Sequence, residues 1–330
     1  MLSAVIVNHR MAAFLPALVA SLRAAGAEEI VVVDTPSTPD ERERILALDG
    51  TRPLPLEENR GYGAALNAGV REARGDRLLL MNPDMEVPAG GLDPLLEALG
   101  RFHAVAPNTF WDRAQRWILP HPQPHTWRTD FTLRTRPEAA LKQALAYQAR
   151  LWGGTDPVEV PLLSGAAFVV RREAYEAVGG FDERYFLYFE ENDFFERFRR
   201  AAFHAAVVPR ARLFHFHEPG RHPAYAKWFH ASRDLHERTW FPDLYLHGRS
   251  LLTTPAAAPA PALEWDSPIE PAGRTLLFSP FPILIPCTAA FGVEGTATPR
   301  ELLAGIPVRG GFLALVEGSS VRARYSLGVK

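Results

Sequence analysis

Leu78-Leu79-Leu80-Met81-Asn82-Pro83-Asp84 is the stretch on which the reading of this chain turns. An apolar run of strand length drives straight into an amide, a proline and a carboxylate. A buried strand has no use for a carboxylate at its tip, because an unpaired charge taken out of water is costly. The carboxylate makes sense where the carboxyl end of a parallel strand opens onto a crevice, the place where α/β sheets bind ligands. Pro83 lacks an N–H and helps to end the strand's pairing. A second reading fits the segment equally well, in which Asp84 merely starts a turn before Gly90-Gly91. The surrounding sequence decides between them.

Upstream, Leu2–Val7 is a continuous apolar run of the kind buried on both faces of a parallel sheet. The spacing of Phe14, Leu15, Leu18, Val19 and Leu22 predicts a helix over 14–25 that stops at Gly26. A strand over 29–33 ends in Asp34; a helix over 40–48, a short strand over 54–56 and a small-residue helix over 63–73 follow. The order β-α-β-α-β-α-β predicts a doubly wound, mainly parallel sheet with helices on both faces. Two of its strands, 31–33 and 78–81, deliver an acid at their carboxyl ends. Downstream, a helix is expected to finish over 97–102, helices are expected at 137–151, 172–178, 190–202 and 225–240, and strands within 158–170 and at 205–208 and 212–216. Residues 1–250 form the expected large domain and 251–263 a Pro/Ala linker. Residues 264–330 read as a small β-rich module, with strands at 275–278, 283–285, 312–316 and 321–327.

With 330 residues the chain is long enough for a substantial core. Its net charge of −2 gives no electrostatic case for nucleic acid. The single cysteine, Cys287, excludes a disulfide framework and a Cys-rich zinc site, and fits a reducing cytoplasm. No run reaches the roughly 18–20 apolar residues that span a bilayer, which leaves peripheral membrane contact open.

Asn59-Arg60-Gly61-Tyr62-Gly63 opens the small-residue helix, and its glycines suit close backbone approach to a phosphate or ribose. With Val5-Ile6-Val7-Asn8-His9, Asn67-Ala68-Gly69, Gly75-Asp76, Asn82-Pro83-Asp84, Ser164-Gly165-Ala166, Gly179-Gly180-Phe181-Asp182-Glu183 and Phe189-Glu190-Glu191-Asn192-Asp193, then Arg197, Pro209 and His215, it makes a pattern. Over residues 2–217 the chain resembles the inverting glycosyltransferases of family 2, with the GT-A fold, in their rhamnosyltransferase-like branch.

That resemblance implies transfer of a sugar from a UDP- or dTDP-type donor to a hydroxyl of a glycan or lipid-linked acceptor, in polysaccharide or glycolipid synthesis. A divalent cation, Mg²⁺ or Mn²⁺, would offset charge on the departing diphosphate. Asn82-Pro83-Asp84 occupies the D-x-D position, making Asp84 the expected metal ligand and leaving Asn82 to hydrogen-bond ribose or phosphate. His215 is the second expected ligand; His217 and His222 lie close by. Glu191 is the expected base, beside Glu190, whose bland alternative is a pair of helix-start carboxylates. Asp34 is expected to read the nucleotide base, and Val7, Asn8, Arg60, Asn67 and Gly165 to complete the donor site.

The chain departs from the family pattern at Thr35, Asn82, Glu191 and Ala201-Ala202, so a catalytically silent sugar-nucleotide or glycan-binding relative is the alternative. A nucleotidyltransferase would bring a glycine-rich basic loop that Val7-Asn8-His9-Arg10 lacks. A homo-oligomer is left open, and the aromatic run Tyr185–Phe189 is expected either in the core or beside the acceptor.

Overall fold

A computed structural model describes residues 1–216, 224–252, 260–272, 274–279, 288–291, 293–304, 311–317 and 320–328. The described residues fall into two compact units. The first comprises Met1–Asn108, Gly154–His215 and Gly220–Trp240.

Strand β1 (Leu2–Asn8), helix α1 (Leu15–Ala24), β2 (Glu29–Asp34), α2 (Pro39–Leu46), β3 (Arg52–Pro55), α3 (Tyr62–Glu72) and β4 (Arg77–Met81) follow one another as the periodicity predicts. They pair in parallel in the order β3-β2-β1-β4. The order reverses direction at β1, so the crevice lies at the carboxyl ends of β1 and β4. The antiparallel strand Ala167–Arg171 extends the sheet beyond β4. β1 is buried along its whole length, and the side chains of β1 and β2 pack under the helices. Gly69 shows how closely: a Cβ there would lie 2.4 Å from Val5 Cγ1 and 2.7 Å from Val33 Cγ2.

The two strands expected at 205–208 and 212–216 are one, Ala205–His215. Its first residues pair antiparallel with Val158–Val160 and its last two with Met85–Glu86. Pro209 lies between those paired stretches and so does not end the strand. The helix expected to finish over 97–102 is Asp93–Ala98, capped at Leu99.

The second unit comprises Thr109–Gly153, Phe216–Pro219 and Phe241–Lys330. It is therefore more than the carboxyl-terminal tail. Strand Thr288–Ala290 pairs with Trp117–Ile118, the Trp117 indole donates to the Leu302 carbonyl at 2.9 Å, and Trp117 packs with Trp265, Leu276, Phe278 and Leu313. The proline-rich loop character of 107–152 hid this contribution, and with it the helix Trp127–Thr135. Strands Thr275–Ser279, Gly311–Glu317 and Ser320–Leu327 form an antiparallel group, as expected of a β-rich module. Most of the expected Pro/Ala linker, the strand at 283–285, Cys287, His217 and His222 lie outside the described residues. Among the described residues no helix is long and apolar enough to cross a membrane.

Candidate functional site

Beyond β4 the chain turns at Asn82, whose N–H donates to the Ala166 carbonyl at 2.8 Å, and Asp84 follows immediately. The register His215↔Met85 then sets the last residue of the long strand beside it. His215 Nε2 lies 3.3 Å from Asp84 Oδ1, with both side chains 8% exposed. Two residues 131 positions apart thus share one nearly dry contact at the strand tips.

The Asn59–Gly63 loop enters α3 through Gly61 at φ 101°, ψ 171°, a conformation that L side chains avoid. The adjacent Tyr62 N–H donates to the Phe186 carbonyl at 2.9 Å. A Cβ on Gly61 would meet that carbonyl oxygen at 2.3 Å. Gly61→Ala is therefore expected to cost about 2–4 kcal/mol of unfolding free energy, from backbone strain and displacement together, measured by denaturant titration.

The close approach also drives Tyr62 inward. Its hydroxyl lies 2.9 Å from Asn82 Oδ1 and 3.0 Å from the Gly165 carbonyl oxygen. Burial pushes this phenol far above its ordinary value, and the charges of Glu190, Glu191 and Asp84 push it further. One hydroxyl thus feels three of the four acids singled out from the sequence, all but Asp34. In the sequence Tyr62 stands out only as the residue between two glycines. Its signal was a hydroxyl-bearing aromatic inside a loop too tight for side chains.

Glu190 and Glu191 open the helix Glu190–Arg200. The chain reaches them through Tyr188 and Phe189 at φ 68° and 65°, two consecutive non-glycine residues in the left-handed region. Such strain is held only where packing over-determines it. Here the Phe189 ring lies 5.3 Å from Phe229 and 5.5 Å from His236 of the helix Tyr225–Trp240, and Ser232 donates to the Leu187 carbonyl at 2.8 Å. Asp193 anchors the helix start as a buried group, bonded to Arg197 Nε at 2.9 Å and to the Trp240 indole at 3.0 Å.

Glu190 is 6% exposed, and among the described residues the buried Oε2 of each glutamate has no hydrogen-bond partner. Burial, and then the neighbouring Glu191 charge, raise the Glu190 carboxyl well above the usual carboxylate range. Burial alone is the raising influence on Glu191. The helix start favours anions, but desolvation outweighs it here. Both carboxyls are thus held above the usual range, and the two titrate as a pair.

Asp34, at the tip of β2, is 1% exposed. It accepts from Asn8 Nδ2 at 3.3 Å, Ser37 Oγ at 2.9 Å and Arg42 Nε at 3.3 Å. A carboxylate has about four lone-pair positions, so three are filled from within the chain. Asn8 Oδ1 also accepts from the Met11 N–H at 3.2 Å, which holds the amide whose Nδ2 links the tips of β1 and β2 through Asp34. Val7 is buried in β1 opposite Val33.

Asn67 and Arg60, both expected in the donor site, have partners within the chain. Asn67 Oδ1 accepts from Tyr175 at 2.6 Å and from the Phe181 N–H at 2.9 Å, while its Nδ2 donates to the Phe181 carbonyl at 2.9 Å. Its amide clamps α3 to the Gly180-Phe181 turn, where the sequence pattern suggested a ligand contact. Arg60, 65% exposed, pairs with Glu183 at 2.8 Å. The structure thus gathers Asn82, Asp84, Gly165, Glu190, Glu191 and His215 about Tyr62 and the strand tips.

Among the described residues no group of three or more His, Cys, Asp or Glu is arranged to hold a metal. Asp84 and His215 still fit a cation that takes one carboxylate and one imidazole from protein and its remaining ligands from substrate phosphates.

Several known proteins are similar. The chain is 34% identical over 202 residues to the N-acetylglucosaminyl-diphospho-decaprenol L-rhamnosyltransferase of Mycobacterium tuberculosis, covering 52% of this chain and 62% of that protein. It is 25% identical over 206 residues to the low-salt glycan biosynthesis hexosyltransferase Agl10 of Haloferax volcanii, covering 60% of this chain and 62% of the relative. The match thus spans less than two thirds of the length of either. Among solved structures, GalNAc-T7 with UDP, GalNAc and Mn²⁺ aligns with a TM-score of 0.49 at 19% identity, over 65% of this chain and 43% of that one. The model of Glycosyl transferase family 2 matches residues 3–179. With that match over more than half its length, the chain belongs to glycosyltransferase family 2.

Proposed function

We propose that the protein is an inverting glycosyltransferase. It moves a hexose or deoxyhexose from a nucleoside-diphosphate donor of the UDP or dTDP type to a hydroxyl on a glycan or lipid-linked acceptor. The observation that carries this reading is the pair of buried glutamate oxygens, unpartnered among the described residues, whose charges reach the same Tyr62 hydroxyl as that of Asp84. A carboxylate with one oxygen left unpartnered, and raised towards neutrality by burial, is suited to take a proton. The name of the rhamnosyltransferase relative supports a deoxyhexose donor and a lipid-diphosphate acceptor.

In this reading Glu191 removes the acceptor hydroxyl proton. The freed oxygen attacks the anomeric carbon as the bond to the diphosphate breaks, so the configuration inverts and nucleoside diphosphate leaves. Glu190, holding its proton, keeps a second negative charge away from that step. Asp84 and His215 would hold Mg²⁺ or Mn²⁺, which stabilises charge on the departing diphosphate when bound. Asn82 offers its amide to the donor, and Tyr62 fixes that amide's orientation. Asp34 and Asn8, bound to each other across β1 and β2, shape the nucleotide end of the crevice.

Tyr62→Phe is expected to lower kcat/KM for transfer about tenfold, the equivalent of one lost hydrogen bond of about 1.4 kcal/mol. The phenyl ring keeps the packing, so the fold should survive. Steady-state kinetics at several donor concentrations measure the effect.

The overall reading is tested by incubating the chain with UDP-, dTDP- and GDP-sugars, Mn²⁺ and polyprenyl-diphosphate-linked glycan acceptors. Nucleoside diphosphate and a glycosylated product with inverted anomeric configuration are expected. Donor binding in calorimetry with no turnover on any acceptor would favour a silent sugar-nucleotide-binding relative instead.

A further inference from the structure

We propose that one face of the second unit is a docking surface for a bilayer that contains anionic lipid. The face is built by the helix Trp127–Thr135 and the helix Asp243–Gly248 with the turn Arg249–Leu251 that continues it. Leu244 and Leu251 are 87% and 84% exposed. They lie seven residues apart in continuous helical chain, about two turns, and so project from one side. Trp127 and Phe131, one turn apart on the other helix, are 36% and 41% exposed.

The two helices are joined side by side. The Trp127 ring lies 5.9 Å from Tyr245, whose hydroxyl is 2.7 Å from Asp130 Oδ2. Asp130 is 7% exposed and bonds Arg134 at 2.8 Å, so the one acidic group of its helix points inward. Residues 126–136 hold three arginines against that single acid, a local net of +2 in a chain whose total is −2. Arg128 and Arg136 are exposed, and the Arg128 guanidinium stacks over Trp127 at 5.2 Å.

Leucines exposed by more than four fifths stand proud of the surface, and a folded protein partner would need deep matching pockets to receive them. A lipid interface is soft and needs none. Tryptophan favours the headgroup level, arginine spreads its stem there while its head meets lipid phosphate, and basic groups are drawn to anionic leaflets. The surface would thus hold the protein against a bilayer, independently of any reading of the catalytic groups.

Co-sedimentation of the full chain with vesicles tests the proposal without calling on transferase activity. Binding to phosphatidylglycerol–phosphatidylcholine vesicles at low salt is expected, with at least about tenfold weaker partition to phosphatidylcholine alone. Leu244→Glu with Leu251→Glu, and separately Arg128→Glu with Arg136→Glu, should each lower partition by at least about tenfold. Circular dichroism and the thermal midpoint should stay unchanged, since all four side chains are exposed. Leu244→Ala with Leu251→Ala should give an intermediate loss. Absence of wild-type binding to anionic vesicles, or binding that survives both charge-bearing pairs, would overturn the proposal. So would a concentration-dependent dimer in ultracentrifugation that the leucine substitutions dissolve, which would make the face a contact between copies.

Discussion

Glu191→Gln is expected to lower the rate of sugar transfer by about 10²–10⁴-fold while leaving donor affinity within a few-fold of wild type. Glutamine keeps the volume and the hydrogen-bonding edge of the side chain but cannot accept a proton at any working pH. The loss should therefore appear in kcat, read by product formation at saturating donor, with calorimetry confirming that donor still binds. The pH profile carries the sharper test. Burial raises the Glu191 carboxyl, and the base must be ionised to act. Activity in the wild type should accordingly rise with pH along a limb displaced above the ordinary glutamate range.

Glu190 supplies the contrast. Its carboxyl is also raised, by burial and then by the Glu191 charge, and the proposed mechanism places the proton the pair shares on it. Glutamine at position 190 mimics that protonated state, so Glu190→Gln should keep the acid limb where it is and retain much of the rate. The same shift has a stability consequence of fixed sign. A carboxyl raised on folding binds its proton more tightly in the native state, so its stabilising contribution is present below the unfolded value and is lost as pH rises towards the folded one. Glu190→Gln should therefore leave acid stability little changed and raise stability on the alkaline side, flattening the fall with pH. A variant at Glu191 that transferred sugar at wild-type rate would remove the base from the proposed mechanism.

The sheet was legible because its signals are local. The apolar runs of β1, β2 and β4 are strands buried on both faces, and each helix between them stops at or near a glycine or proline. The carboxylates at the strand tips stood out for the same reason, since an acid at the end of an apolar run conflicts with simple burial. What the sequence hid is long-range. Tyr62 reaches Asn82 and Gly165, the latter 103 residues away, only because Gly61 lets the loop close on Phe186. Asn67 lay in a family motif, yet its amide is consumed by Tyr175 and Phe181, which no spacing rule places beside it. The second unit drew in Thr109–Gly153 because Trp117 buries itself against strands far along the chain, and the irregular, proline-rich stretch around it gave no period to read.

Asp84→Asn is the second large effect, and the choice of amide decides what it reports. Asp84 is nearly buried and its Oδ1 lies 3.3 Å from His215 Nε2, so alanine would leave the imidazole facing a void and confuse stability with function. Asparagine keeps the volume and a polar atom towards the imidazole. What it removes is the negative charge at the D-x-D position, and Asn82, already an amide, cannot replace it. Transfer should fall by about 10²–10³-fold, several kcal/mol of lost charge stabilisation on the leaving diphosphate. Nucleoside diphosphate binding should lose its dependence on Mn²⁺, read by calorimetry with and without the ion. His215→Ala should act in the same direction but more weakly, since imidazole contributes a ligand without a charge. Because one protein carboxylate holds a divalent cation poorly on its own, the wild type should bind Mn²⁺ far more tightly with nucleotide present than without it. Metal affinity that ignores nucleotide, or transfer that survives Asp84→Asn, would mean that the strand tip serves to close the turn and that the charge on the diphosphate is met by other groups of the chain.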